Sequence, residues 1–122
     1  MSKIVQAVNA MIANKNYIAN VIPSNHNKDE YFFLYKNKHA WSMLKEDDSN
    51  HRLFFYPNTS SVDYLASLTG HEWSDIQMVS YSDSDIATKE AKSSFSELYT
   101  ILKENLYGIN DVLDEIISDL DF

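Results

Sequence analysis

The 122-residue chain contains no cysteine, two glycines, two prolines and no long hydrophobic run. Each absence excludes some chemistry. Without cysteine there are no disulfides, thiolate metal sites or thiol nucleophiles. Phosphate-cradling loops need clustered glycines for close backbone approach, whereas Gly70 and Gly108 stand alone, so a P-loop is excluded. No G-x-S-x-G elbow for a nucleophilic serine occurs. Nothing approaches the ~18 consecutive apolar residues of a membrane span. The N-terminal apolar stretch is broken by Gln6, Asn9, Asn14 and Asn16, unlike a secretory signal. A reducing, bacterial-type cytoplasm is the expected compartment.

Basic residues are also scarce in one half. Residues 1–58 hold seven Lys/Arg against five Asp/Glu, whereas residues 59–122 hold three against thirteen, giving +2 and −10 within a net charge of −8. Such a field repels nucleic acid and anionic membranes and attracts basic partners. Hydrophobic residues make up 44% and aromatics 13%, enough for a packed core, and the length suits a single domain over 1–122.

Apolar spacing defines the elements. Ile4, Val8, Met11 and Ile12 predict a helix from Ser2 to about Lys15. Tyr17–Ile22 reads as a short extended piece ending at Pro23. Tyr31–Tyr35 is an aromatic run too short for a helix and apolar on both alternating faces, so it predicts a strand covered on both sides. His39–Leu44 and Arg52–Tyr56 follow across short polar connections, which predicts an antiparallel meander. Ser60 with Asp63 fits a cap for a helix holding Val62, Leu65 and Leu68, with Gly70 as its stop. A fourth strand is expected over Ser74–Tyr81. Ser82 and Asp85 fit a further cap, before a long helix carrying Ala91, Phe95, Leu98, Tyr99, Leu102 and Leu106 on one arc. Gly108 interrupts it, and Asn110 or Asp111 caps a last helix with Val112, Leu113, Ile116, Ile117 and Leu120 on one side. The expected fold is α+β: an antiparallel sheet of about four strands with an N-terminal and two C-terminal helices packed on it. Phe33, Trp41, Phe55, Phe95, Leu98, Leu102, Leu113 and Ile117 are the expected core.

Metal and catalytic patterns fail on inspection. His71-Glu72-Trp73-Ser74-Asp75 opens like the zinc motif H-E-x-x-H, but Asp75 replaces the second histidine, and a turn inserting Trp73 into the core explains it better. Asp83-Ser84-Asp85 opens like a calcium loop, but Thr88 and Ser94 stand where Gly and Glu are required, which leaves helix capping. His26, His39 and His51 share no ligand spacing. No catalytic, cofactor-binding or metal-binding residue is nominated. Tyr31, Phe32, Phe33, Tyr35, Trp41, Phe54, Phe55 and Tyr56 are of a kind that stacks bases, but the net charge opposes that use and sheet packing accounts for them.

One pattern remains. Asp83, Glu90, Glu97, Glu104 and Asp111 recur every seven residues, almost two helical turns, so the four from Glu90 are expected to share a stripe. No Lys or Arg lies three or four residues from Glu90, Glu97 or Glu104, so intrahelical ion pairs do not neutralise it. Asp111, Asp114 and Glu115, with Asp119, occupy the back of the last helix. A solvated face that keeps the protein soluble is the plain reading, and recognition of a basic partner is the functional one.

In being small, cysteine-free and acidic, with Glu90, Glu97, Glu104, Asp111, Asp114 and Glu115 on helix backs, the chain resembles bacterial immunity proteins, the antitoxin-like inhibitors of secreted toxins. That resemblance covers size, charge and helix faces. It implies a cognate toxin domain, in some cases a nuclease, whose active or substrate-binding surface these carboxylates occlude. Two other readings stand beside it: an acidic nucleic-acid mimic that sequesters a DNA-binding protein, and a small ligand-binding or enzyme domain with a pocket lined by Trp41, Trp73 and a buried histidine.

Overall fold

The computed structural model describes residues 2–120. Helix α1 (Lys3–Ala13) begins where the Ser2 hydroxyl accepts from the Val5 amide, and it buries Val5, Val8 and Met11 at helical spacing. It ends two residues earlier than its periodicity predicts. Lys15–Tyr17 tighten into a 3-10 turn that delivers the chain directly into strand β1 (Ile18–Pro23). The short extended piece expected there is thus a full sheet member, and the sheet has five strands instead of about four.

Strands β2 (Glu30–Tyr35), β3 (His39–Lys45), β4 (His51–Phe55) and β5 (Val79–Ser82) complete an antiparallel sheet in the order β1-β2-β3-β4-β5. Lys36 and Asn37 turn the β2–β3 hairpin with positive φ. In the β3–β4 loop the Asp47 carboxylate accepts from the Asn50 side-chain amide at 2.8 Å and from the backbone amides of Ser49 and Asn50, both at 2.9 Å, which together hold its pKa below the usual carboxylate value. At the outer side of β1 the register shifts between Ala19 and Ile22, around Asn20 at φ 55°.

Both sheet faces are covered. The aromatic run alternates as expected: Tyr31 and Phe33 join Met43, Leu53, Val8, Met11, Phe95, Leu98, Tyr99 and Leu102 in one core layer. Phe32 and Leu34 face the other way, into a layer with Ala40, Tyr56, Val62, Leu65 and Leu68. The first layer lies under α1 and the long helix α4 (Lys89–Tyr107); the second lies under α2 (Val62–Ser67) and the 3-10 segment Gly70–Asp75. Trp41 and Phe55, expected in the core, are half-buried at its margin, where their rings meet at 4.8 Å.

Several boundaries shift by one cap. Ser61, not Ser60, caps α2, and that helix ends at Ser67 before Gly70 is reached. Glu72 turns its carboxylate back on the amide and hydroxyl of Thr69 at 3.0 and 2.9 Å, forming a 3-10 segment where a strand was expected to begin at Ser74. Ser82 caps only the short helix α3 (Asp83–Ile86). Thr88 caps α4 by accepting from the Ala91 amide at 3.0 Å.

Gly108, at φ 63°, ends α4 and directly precedes the last helix α5 (Ile109–Ser118), which has no side-chain cap. α5 buries no residue. Leu113 is 45% exposed and Ile117 59%, so the two core positions expected on this helix lie at the surface. The physical reason is position: α5 follows the end of α4 and contacts that helix, with no sheet face left for its apolar side. Among the described residues, no helix is long and apolar enough to cross a membrane.

Candidate functional site

On α4, Ala91, Ser94, Phe95, Leu98, Tyr99 and Leu102 form the buried arc. At 100° per residue Glu90, Glu97 and Glu104 fall together on one flank of that arc, and Lys89, Lys92 and Lys103 fall on the other. The stripe therefore forms and is segregated from the lysines of its own helix. It runs along the side facing α1: the Asn9 amide donates to Glu90 Oε1 at 3.3 Å, and Ser94 donates to Asn9 at 2.6 Å. Farther along, Glu104 shares a shallow recess with Lys15 and Asn16. Glu90 and Glu97 are exposed and Glu104 is half-buried.

Of the four carboxylates expected on the stripe, Asp111 does not join it. Asp83 is 0% exposed and belongs to α3. Asp111 lies beyond Gly108, whose left-handed backbone breaks the helical phase, so it joins Asp114 and Glu115 on α5 instead. On α5 these exposed carboxylates lie opposite an exposed apolar arc of Val112, Leu113, Ile116, Ile117 and Leu120. Among the described residues the ion pairs are His51–Asp83 and Arg52–Glu46. None of Glu90, Glu97, Glu104, Asp111, Asp114 and Glu115 has a cation within ion-pair distance among the described residues.

Two polar constellations escaped the sequence reading. The first is buried: Asp83 Oδ1 accepts from the His51 amide at 3.1 Å, and Oδ2 stands 3.6 Å from His51 Nδ1, beyond hydrogen-bond length. Burial pushes the His51 imidazole pKa down, and this outweighs the opposite pull of Asp83. The pair joins β4 to α3 and packs on the Tyr99 ring at 5.0 Å. It is enclosed by core, so its role is structural.

The second constellation borders a cleft of about 290 Å³ on the α2 side of the sheet, lined by His26, Glu30, Phe54, Tyr56, Trp73 and Met78. Ser42 donates to Glu30 Oε2 at 2.7 Å and lies 2.8 Å from the Tyr56 hydroxyl. Since the serine proton is directed at Glu30, the tyrosine proton points at Ser42. Burial raises the pKa of both Glu30 and Tyr56. Trp73 stacks on Phe32 with centroids 6.1 Å apart and meets Tyr56 at the same distance, so it packs against the core layer but stays half-buried instead of entering it. Trp41 lies in a recess with Ile4 and Tyr81 on the opposite face, so no pocket unites the two tryptophans with a buried histidine. The available signal was parity. Glu30 falls in phase with Phe32 and Leu34, which makes it a carboxylate on an inward-facing register.

No group of three or more His, Cys, Asp or Glu side chains among the described residues could hold a metal ion. Comparison with protein-family models, with curated proteins and with solved structures gives no match.

Proposed function

We propose that this chain is an inhibitory binding protein that neutralises a basic protein partner, in the manner of bacterial immunity proteins, through the acidic outer surfaces of α4 and α5. One observation carries the reading: among the described residues, six carboxylates on two consecutive helices have no ion-pair partner, although lysines are present on the opposite flank of α4. A solubilising surface needs no such separation of signs, since interspersed charges serve it equally well.

The mechanism follows from the charge and the faces. An unneutralised acidic surface steers a basic partner during encounter and speeds association at low salt. Once docked, the carboxylates occupy cationic groups that a toxin domain uses for its substrate, and the body of the α+β domain blocks access sterically. The proposed compartment is the bacterial cytoplasm.

The test is protection. The chain and its Glu97→Lys/Glu104→Lys/Glu115→Lys variant are co-produced with the product of any toxin reading frame found beside its gene, with growth as the readout and thermal unfolding measured in parallel. The wild-type chain restores growth, and the triple variant fails to do so at an unchanged melting temperature. Equal protection by both proteins would assign the carboxylates to solubility, and no protection by either would reject the inhibitor reading.

A further inference from the structure

Glu30 carries an unmatched charge in partly apolar surroundings. It has no cation within ion-pair distance among the described residues, and His26 is the only cleft-lining side chain able to become positive. Its hydrogen bond comes from Ser42, itself backed by the Tyr56 hydroxyl, so the two protons in this relay are oriented toward the carboxylate. Burial raises the Glu30 pKa, and the Ser42 hydrogen bond and the nearby His26 pull the other way without cancelling it, so the carboxylate is left short of positive charge. The remaining walls are the rings of Phe54, Tyr56 and Trp73 and the thioether of Met78.

These features define the complement. An anion is repelled by Glu30, and a purely apolar ligand leaves the carboxylate desolvated without compensation. A hydrated metal ion lacks the cluster of oxygen ligands that it needs. A soft organic cation satisfies both halves of the site, since its charge pairs with the carboxylate and its poorly hydrated surface lies against ring faces. The cleft, about 290 Å³, has room for such a group. We propose that this cleft binds an alkylammonium or guanidinium group between the Glu30 carboxylate and the rings of Tyr56 and Trp73. The site lies on the sheet face opposite α4, so it is separate from the acidic surfaces of the two C-terminal helices.

The indole N–H of Trp73 provides the readout. Labelled protein at about pH 8 is titrated with tetramethylammonium chloride and methylguanidinium chloride, with sodium chloride at equal ionic strength as reference. Parallel titrations use N-acetyl-arginine and N-acetyl-lysine methylamides, which present the same groups as protein side chains. A saturable millimolar or tighter response to the free cations identifies a small-molecule site. A response confined to the blocked amino acids identifies a side chain of a protein partner, and both results support the proposal. Glu30→Gln keeps the acceptor for Ser42 and removes the charge, and it is expected to weaken binding at least tenfold without lowering the melting temperature. Met78→Lys, at an exposed position, places an ammonium in the cleft and should abolish the titration. The proposal is overturned if no cation saturates the signal, if sodium chloride reproduces the response, or if Glu30→Gln binds with full affinity.

Discussion

Leu102 and Ile117 lie on consecutive helices and both project from apolar arcs, yet Leu102 is 0% exposed and Ile117 59%. Truncation to alanine removes the same number of carbons from each, so the pair separates burial from composition. At Leu102 the lost transfer free energy is roughly 2.4 kcal/mol from about 0.8 per methylene. The cavity left between Phe95, Leu98 and the sheet raises the total to about 3–4 kcal/mol. With an unfolding entropy of ~2.1 cal/mol/K per residue, Leu102→Ala should melt roughly 12–16 °C lower. At Ile117 less than half of the transfer term applies and no cavity forms. Alanine's higher helix propensity offsets part of what remains, so the loss is under about 1 kcal/mol, or roughly 4 °C. Thermal and urea unfolding followed by circular dichroism measures both. An Ile117→Ala loss equal to that of Leu102→Ala would mean that α5 packs against the body, and the account of its free face would be wrong.

Four further outcomes are expected. Because the folded pKa of His51 is depressed below 6.5, the unfolded chain binds a proton first; stability is full above about pH 7 and declines as pH falls through 6.5 toward the folded value. Urea midpoints at several pH values should show this slope in the wild type and a weaker one in His51→Gln, and stability that rises on acidification through this window would contradict it. Asp83→Ala leaves the buried His51 amide without its acceptor and should destabilise by about 1–3 kcal/mol, read as a lower urea midpoint. Glu30 has the opposite sign: its raised folded pKa makes charged Glu30 unfavourable above about 4.5, so Glu30→Gln should gain stability at pH 7 and lose that advantage below pH 4.5. For the charge-reversal triple variant, association with the basic partner proposed above should slow most at low salt, and a salt-independent rate difference would argue against steering.

The sheet was legible because β2 is apolar on both faces and its neighbours follow across short polar turns, a pattern few other arrangements accommodate. The buried arc of α4 and the break at Gly108 were legible for the same reason: periodicity and a left-handed glycine act locally. The exposure of α5 was not. Period identifies which side of a helix is apolar, but whether another element covers it depends on the path of the whole chain. Trp41 and Phe55 failed similarly, since they have core composition at the sheet margin. Cap positions slipped where two hydroxyl residues adjoin, as at Ser60 and Ser61, or where a short helix intervenes before Thr88. Neither polar constellation has a linear signature. His51 and Asp83 are 32 residues apart, and Glu30 meets Ser42 only through the β2–β3 pairing. The carboxylates of α4 and α5 were legible as residues, although Asp111 lies on a different helix from the stripe its spacing implied.

The sheet has two free rims, β1 and β5, and each is poorly suited to accept a strand from another molecule. On β1 the displacement around Asn20 interrupts the row of backbone donors and acceptors, and Pro23 contributes no donor at all. β5 is four residues long and passes straight into α3, so a visiting strand finds little length to pair with. Growth of the sheet by addition of further chains, the route to ribbons and fibrils, is therefore obstructed at both ends. The consequence is a division of labour within the fold: its rims resist company, and what it offers to another molecule is carried on side chains of helices and of one cleft, where recognition depends on sequence instead of on backbone that every protein shares.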